Sequence, residues 1–440
     1  MKKVKRRATA ALLIALLIIA GLCAYVIEFI DHGENWAMFP ANQSVYSGGV
    51  LNTGTLTDRN GVLLAAAGNG VYYYSDDPET RIACLHAAGD YRGYIGTGAV
   101  TAFASKLAGY TPINGTCGDG ETVALTIDSR LNVAACKALA GRKGAVLVMD
   151  YTTGEILCMV SSPSYDPNTS PDLTSDAYDG VFLNRAISSA FTPGSVFKLV
   201  TLAAAIENIS DLEERIFYCS GSVALSDGVV TCSGTHGSQT IEQAFANSCN
   251  CAFAELAVEL GPDMLERYSR ELGLTMSHDL DGISTAAGNF EKAADSETAL
   301  AWSGIGQHND LVTPYSMLRL AAAIANGGVV AEPTLLMEHG ILERRAKTRI
   351  LKTGTAEALA EMMAYNVAYS YGDWRFPGLK ICAKTGTAEV GDGSSHAWFA
   401  GFLNDEDNPL AFVVLVENGG GGLAAAAPVA NTVLQEAVSR

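Results

Sequence analysis

The apolar pattern of the chain opens with twenty uncharged residues from Ala8 to Ile27, dominated by Leu, Ile and Ala. As a helix rising about 1.5 Å per residue, this stretch is long enough to cross roughly 30 Å of hydrocarbon. Lys2, Lys3, Lys5, Arg6 and Arg7 precede it, and such a cationic cluster stays cytoplasmic, which predicts a single membrane span with everything after Glu28 outside. A cleaved signal peptide would have an apolar core of about 7–15 residues and a small-x-small end, and neither fits well.

From His32 to about Gly120 the pattern is irregular, rich in Gly and Tyr, and reads as a small strand-rich module. Its sharpest signal is Gly54-Thr-Leu-Thr-Asp-Arg-Asn-Gly61 followed by Val62-Leu-Leu-Ala65, two extended pieces around an Asn-Gly turn. Asp128 is placed to cap a helix running to about Leu139, with Leu131, Ala135 and Leu139 on one face and Gly141 beyond its end. Gly144-Ala-Val-Leu-Val-Met-Asp150, a tight turn and Glu155-Ile-Leu-Cys-Met-Val160 predict a hairpin. A polar loop from Ser161 to Pro193 leads to helices over 195–207, 241–260, 262–272, 314–326 and 355–366. Strands follow from Leu379 to Glu417, then a last helix from Pro428 to Val438. Strands at both ends of a helix-rich middle predict an α+β domain whose ends share one sheet. At 440 residues the chain divides into a tail and anchor over 1–30, a small module over 31–120 and a large domain over 121–440.

The formal charge of −18 argues against nucleic acid as a partner, because neutralising phosphates takes clustered Lys and Arg. Ten cysteines are many for an exported chain, but they are scattered, so this is no small disulfide scaffold.

Three constellations carry candidate chemistry. In Phe191-Thr-Pro-Gly-Ser-Val-Phe-Lys198 the Pro-Gly pair suits a helix start, and Ser195 and Lys198, three apart, share a face. A buried lysine beside another cation loses its proton readily and can activate a serine. Ser248-Cys-Asn250 falls at a break between two helical stretches, and its hydroxyl and amide can relay a proton and hold a substrate amide. The string Lys-Thr-Gly-Thr-Ala-Glu occurs twice, at 352–357 and 384–389. The first copy runs into the amphipathic series Ala356, Leu359, Met362 and Met363 and reads as a helix start capped by Thr355. The second follows the alternating Leu379-Lys-Ile-Cys-Ala383 and reads as a sheet edge, where Lys384, Thr385 and Thr387 can bind a terminal carboxylate.

Ser195-x-x-Lys198, Ser248-x-Asn250 and Lys384-Thr-Gly386, in that order, resemble the three signatures of penicillin-binding transpeptidases and serine β-lactamases. Thr126-Ile-Asp128, the 144–161 hairpin, Pro163-Ser-Tyr-Asp-Pro-Asn168, Gly304-Ile-Gly-Gln307 with Thr313-Pro314, and Ala325-Asn-Gly-Gly328 extend the match from about Thr122 to the C-terminus. Asp58-Arg-Asn-Gly61 is similar to a segment of the monofunctional, class B-like members, with Thr53 where those usually carry an arginine. The resemblance implies a serine β-lactamase/transpeptidase-like fold, an antiparallel sheet with flanking helices. It implies that Ser195 attacks the penultimate D-alanine of a peptidoglycan stem peptide, that Lys198 takes its proton, and that the N–H groups of Ser195 and Thr387 hold the oxyanion. Ser248 would pass a proton to the departing D-alanine, Asn250 would hold the substrate backbone, and Lys384, Thr385 and Thr387, around Gly386, would bind the carboxylate. β-Lactams would acylate the same serine, catalysis would need no cofactor, and a membrane glycan polymerase is the implied partner. D,D-carboxypeptidase or β-lactamase-like hydrolysis is the alternative within the fold. A β-lactam receptor or non-catalytic scaffold is the alternative from another class.

Cys219, Cys232, His236 and Cys249 form a separate group. If Asp227-Gly228 turns a hairpin that pairs Ser226 with Val229, Cys219 falls opposite His236, and Cys232 lies on the same face. Cys249 then completes a Cys3His set suited to a structural Zn²⁺, with a Cys219–Cys232 disulfide and free thiols as alternatives.

Overall fold

Five strands divide their side chains between two cores, and this alternation sets the layers of the large domain. The computed structural model describes residues 1–39, 41–43, 45–47, 50–68, 71–117, 120–337, 346–391 and 393–439. Ile381–Glu389 lies at one edge of an antiparallel sheet, followed by Ser395–Leu403, Leu410–Val416, Gly144–Asp150 and Ile156–Ser162. The expected hairpin is present, and the two ends of the domain meet where Leu410 pairs with Asp150 and Val416 with Gly144. Leu147, Met149, Trp398, Ala400, Val413 and Leu415 are buried on the face covered by the Pro314–Ala325 helix. Val146, Val148, Phe399, Phe412 and Val414 are buried on the other, against the Ser129–Leu139 and Ala427–Val438 helices. A strand buried on both faces needs a continuous apolar run, and Leu410-Ala-Phe-Val-Val-Leu-Val416 supplies one. Trp398 fastens this sheet to the loop that precedes Ser195, since its Nε1–H donates to Thr192 O at 2.9 Å. Truncating a buried ring of that size costs about 3–5 kcal/mol.

Asp128 caps the Ser129–Leu139 helix as expected, accepting from Arg130 N–H, and the chain leaves through Ala140 and Gly141, both at positive φ. In the N-terminal module, Val71–Tyr74, Leu63–Gly68, Thr55–Thr57 and Thr122–Ala124 form a four-stranded sheet in that order, with the last pair parallel. The Asn60-Gly61 turn is as expected, with Gly61 at φ 80°. Asp58 is fully buried there. One of its oxygens accepts the N–H groups of Asn60 and Val62, the other the N–H and hydroxyl of Ser129, which ties the module to the large domain.

Two helices of nine or more residues, among the described residues, were not anticipated. Pro78–Ala88 starts at an Asp77 cap and packs on Ser129–Leu139, and Glu297–Ile305 starts at a Ser296 cap. The helix expected from Thr355 instead spans Thr353–Asn366, with Lys352 at its N-cap. Thr355 is not the cap: it is buried in the first turn and donates to Glu207 Oε1 at 2.8 Å. A hydroxyl bound to a carboxylate on a neighbouring helix is no longer free to cap its own. The first helix runs from Lys2 to Ala37, ten residues past the apolar stretch, and is long and apolar enough to cross a membrane.

Candidate active site

Ser195, the expected nucleophile, sits just ahead of a helix rather than inside it. Gly194–Val196 form a 3₁₀ turn, and the α-helix begins at Lys198, so Ser195 lies in the tighter preceding turn. Gly194 makes this turn possible. Its φ of 55° disfavours a side chain, and a Cβ there would meet Thr387 O at 2.5 Å. Gly194 N–H donates to Gly306 O at 2.7 Å, so the turn is held between the Gly304–Gln307 loop and the strand carrying Thr387. Gly386 permits the same approach from the strand side, because a Cβ there would come within 2.7 Å of Pro193 O.

Ser248 is at the expected break, with φ 50°, between the Ile241–Ala246 and Asn250–Leu260 helices. Thr240 and Gln243 close a capping box on the first of these, which fixes where the break falls. Two lysines converge on the Ser248 hydroxyl. Lys198 Nζ lies 3.1 Å from Ser248 Oγ, 2.6 Å from Ser248 O and 2.8 Å from Asn250 Oδ1. Lys384 Nζ lies 3.0 Å from the same Oγ and 3.1 Å from Thr385 O. Both lysines are fully buried. Burial pulls the Lys198 ammonium down to about 8, and burial followed by the neighbouring charge of Lys198 holds Lys384 well below its ordinary value. Two ammoniums sharing one hydroxyl disfavour each other, so the pair favours a neutral amine at one of them.

Ser195 Oγ makes no hydrogen bond to Lys198 or Ser248, nor to any other described residue. Lys198 instead uses the three acceptors offered by Ser248 and Asn250. Catalytic hydrogen bonds are often loose until substrate binds. Ser195 and Ser248 face the same cavity of about 610 Å³, lined also by Asn250, Trp302, Gln307, Thr385 and Thr387. A cavity of about 700 Å³ elsewhere holds Ser277 and His278, but these are bonded to Thr285 O and Gly273 O and form no nucleophile–base pair.

The second Lys-Thr-Gly copy is on the edge strand, as expected, and the first is not near it. Lys352 pairs with Glu207 at the start of its helix. Residues missed by sequence reasoning lie on the outer rim of the edge strand. Asn366 Nδ2 donates to Ala383 O at 2.7 Å, and Tyr371 OH lies 2.8 Å from both Thr385 N and Thr385 Oγ1.

The cysteine group assembles, but through a different register. Ala224, not Ser226, pairs with Val229, and Cys219 lies opposite Gly237, not His236. Between these two short ladders Ser220-Gly221 faces the longer Cys232–His236 stretch, which loops and brings both its ends back toward Cys219. The ligand atoms of Cys219, Cys232, His236 and Cys249 all lie within 4.8 Å of one another. Cys232 Sγ is 3.9 Å from Cys249 Sγ and 3.6 Å from His236 Nδ1, close to the roughly 3.8 Å between ligands of a tetrahedral site with about 2.3 Å bonds. Hydrogen bonding with Cys249 and from the N–H groups of Asn250, Gly234 and Cys251 holds the Cys232 thiol below its ordinary range, while the same pairing pushes Cys249 up. The three cysteines of the group are free of disulfides, and a fourth thiol, Cys251, lies 3.5 Å from Cys219.

A family model described as the penicillin binding protein transpeptidase domain matches residues 144–435. The chain belongs to that family. The peptidoglycan D,D-transpeptidase PbpA of Mycobacterium tuberculosis is 33% identical over 365 residues, covering 72% of this chain and 73% of that protein. Among solved structures, penicillin-binding protein A of M. tuberculosis, as a ceftriaxone acyl-enzyme complex, matches with a TM-score of 0.76 at 28% identity, over 88% of this chain and 98% of that one. The D,D-transpeptidase domain of an Eggerthella lenta peptidoglycan glycosyltransferase matches with a TM-score of 0.75 at 29% identity, over 88% of this chain and 98% of that one. These class B penicillin-binding proteins share the mixed helix-and-sheet fold.

Proposed function

We infer that this protein is a serine D,D-transpeptidase that cross-links peptidoglycan stem peptides through an acyl-enzyme on Ser195 and is acylated there by β-lactams. The observation that carries the reading is the meeting of Lys198 and Lys384 on Ser248 Oγ beside the Ser195 cavity. Ser195 adds to the penultimate D-alanine carbonyl as its proton passes to neutral Lys198. The N–H groups of Ser195 and Thr387 receive the oxyanion, Asn250 holds the donor backbone, and Lys384, Thr385 and Thr387 receive the terminal carboxylate. Ser248, between the two lysines, returns a proton to the departing D-alanine. The amine of a second stem peptide then takes the acyl group and frees Ser195.

The apolar helix before residue 38 anchors the enzyme, and its cationic start places the catalytic domain, over 121–440, outside the membrane. The anchor and the module over 31–120 dock on a membrane glycan polymerase. Cys219, Cys232, His236 and Cys249 hold a structural Zn²⁺, whose contribution is to tie the Ser248-Cys-Asn250 segment to the hairpin in front of it.

The test pairs fluorescent-penicillin labelling with product analysis. Labelling vanishes in Ser195→Ala, and a stem-peptide donor with an amine acceptor gives cross-linked product. Release of D-alanine without cross-linking would replace transpeptidation by hydrolysis.

A further inference from the structure

The outer rim of Ile381–Glu389 is a sheet edge, and an edge exposes alternate backbone groups to whatever lies beside it. Here those groups are occupied in sequence. Asn366 Nδ2 donates to Ala383 O, Thr385 N–H donates to Tyr371 OH, and Thr385 O accepts from Lys384 Nζ. Two residues on, Thr387 presents its N–H to the same side, where it lines the cavity.

Tyr371 closes the five-residue π-helical turn Val367–Tyr371, and Gly372 at φ 86° reverses the chain directly after it. Its ring is buried against Phe399, 6.1 Å away and tilted at 62°. The direction of its hydrogen bonds follows from counting protons. The phenol oxygen already accepts Thr385 N–H, and the acceptor closest to its own proton is Thr385 Oγ1, at 2.8 Å, with the Asn366 side chain beside the ring hydroxyl. Were Thr385 O–H to donate instead, the buried phenol proton would lose this short hydrogen bond. Tyr371 therefore donates to Thr385 Oγ1, and the Thr385 proton is turned toward the cavity it lines.

We propose that Tyr371 is a positioning residue for carboxylate recognition: it orients the Thr385 hydroxyl as a donor to the substrate carboxylate and stops the edge strand, so that Thr387 N–H is a backbone donor in the groove. This rests on the transpeptidase reading above. The experiment compares acylation of the full chain by benzylpenicillin and by its methyl ester, which lacks the charged carboxylate, in Tyr371→Phe, Thr385→Val and the double variant. Tyr371→Phe keeps the ring and is expected to slow benzylpenicillin about 10- to 100-fold, the range for a hydrogen bond to a charged group. Its rate with the ester stays within about twofold of the unsubstituted chain, which also serves as the folding control. The double variant is no slower with benzylpenicillin than Thr385→Val alone. Equal slowing of both compounds, no slowing, or fully additive losses would each overturn the proposal. Labelling that survives Ser195→Ala would instead overturn the function on which it rests.

Discussion

The Lys352 ammonium lies 2.7 Å from the Glu207 carboxylate, on a side chain that is 71% exposed. Lys384, which opens the same six-residue string, is fully buried against Ser248. Identical letters thus do unlike things, because one string starts a helix and the other ends inside a sheet. Lys352→Ala is expected to leave fluorescent-penicillin labelling within about twofold, since an exposed ion pair contributes little. Lys384→Ala removes the buried amine that meets Ser248 Oγ beside the cavity and should slow labelling by about 100-fold or more. Equal losses in the two variants would mean that the active copy has been misassigned.

The pH dependence of acylation follows from Lys198. Burial lowers its ammonium to about 8, so the amine that accepts the Ser195 proton becomes more populated as pH rises. Lys384 competes for the same hydroxyl, and the titration belongs to the pair. The benzylpenicillin acylation rate should climb about tenfold per unit below pH 7, bend near pH 8 and level above it. A rate that is flat or falls between pH 6 and pH 8, measured at constant ionic strength, contradicts a neutral lysine base.

Gly194 offers a test of backbone approach independent of any side-chain chemistry. Alanine there meets two penalties, a φ of 55° and a Cβ 2.5 Å from Thr387 O, and the second falls on backbone that cannot swing aside. Gly282, at φ 91° with nothing within 4 Å of its Cβ position, meets only the first. Both alanine variants should lose about 1–2 kcal/mol of stability from the left-handed backbone, but only Gly194→Ala should lose acylation, because the Ser195 turn must separate from the Thr387 strand. If both variants label equally well, the close approach is not what places the oxyanion donors.

Much of this architecture was legible because its signals are local. The alternation in Gly144–Asp150 and Leu379–Ala383, the Asp128 cap and the spacing of Ser195 and Lys198 each lie within one turn or one strand. What escaped depends on distant partners. Pro78–Ala88 buries Ala83 through Ala88 without a break, so it shows no polar face to mark a helix, although Asp77 and Pro78 announced its start. Tyr371 and Asn366 meet the edge strand across chain reversals that no periodicity records. The hairpin register differs because the turn takes four residues, Leu225 to Gly228, with Asp227 inside it bonded to Ser296 and Thr298 at the start of the Glu297–Ile305 helix. With the turn moved back, the extra residues collect in the Cys232–His236 loop.

That loop makes the metal prediction sharp, because the cluster touches the catalytic segment twice. Cys249 stands between Ser248 and Asn250, and Asn250 N–H donates to Cys232 Sγ at 3.2 Å. Asn250 Nδ2 also reaches back to Thr231 O at 2.9 Å, one residue before Cys232. A bound ion should therefore hold the helix start at Asn250, and with it the amide that meets Lys198. Purified protein is expected to carry about one zinc per chain by elemental analysis, since structural sites of this ligand type bind tightly. A chelator strong enough to strip it should lower the melting temperature and slow penicillin acylation, and restored zinc should recover both. Cys232→Ser should reproduce the stripped state without chelator. Protein purified without reductant or chelator that contains no zinc and two fewer titratable thiols would show that a Cys219–Cys232 disulfide, not an ion, closes this hairpin.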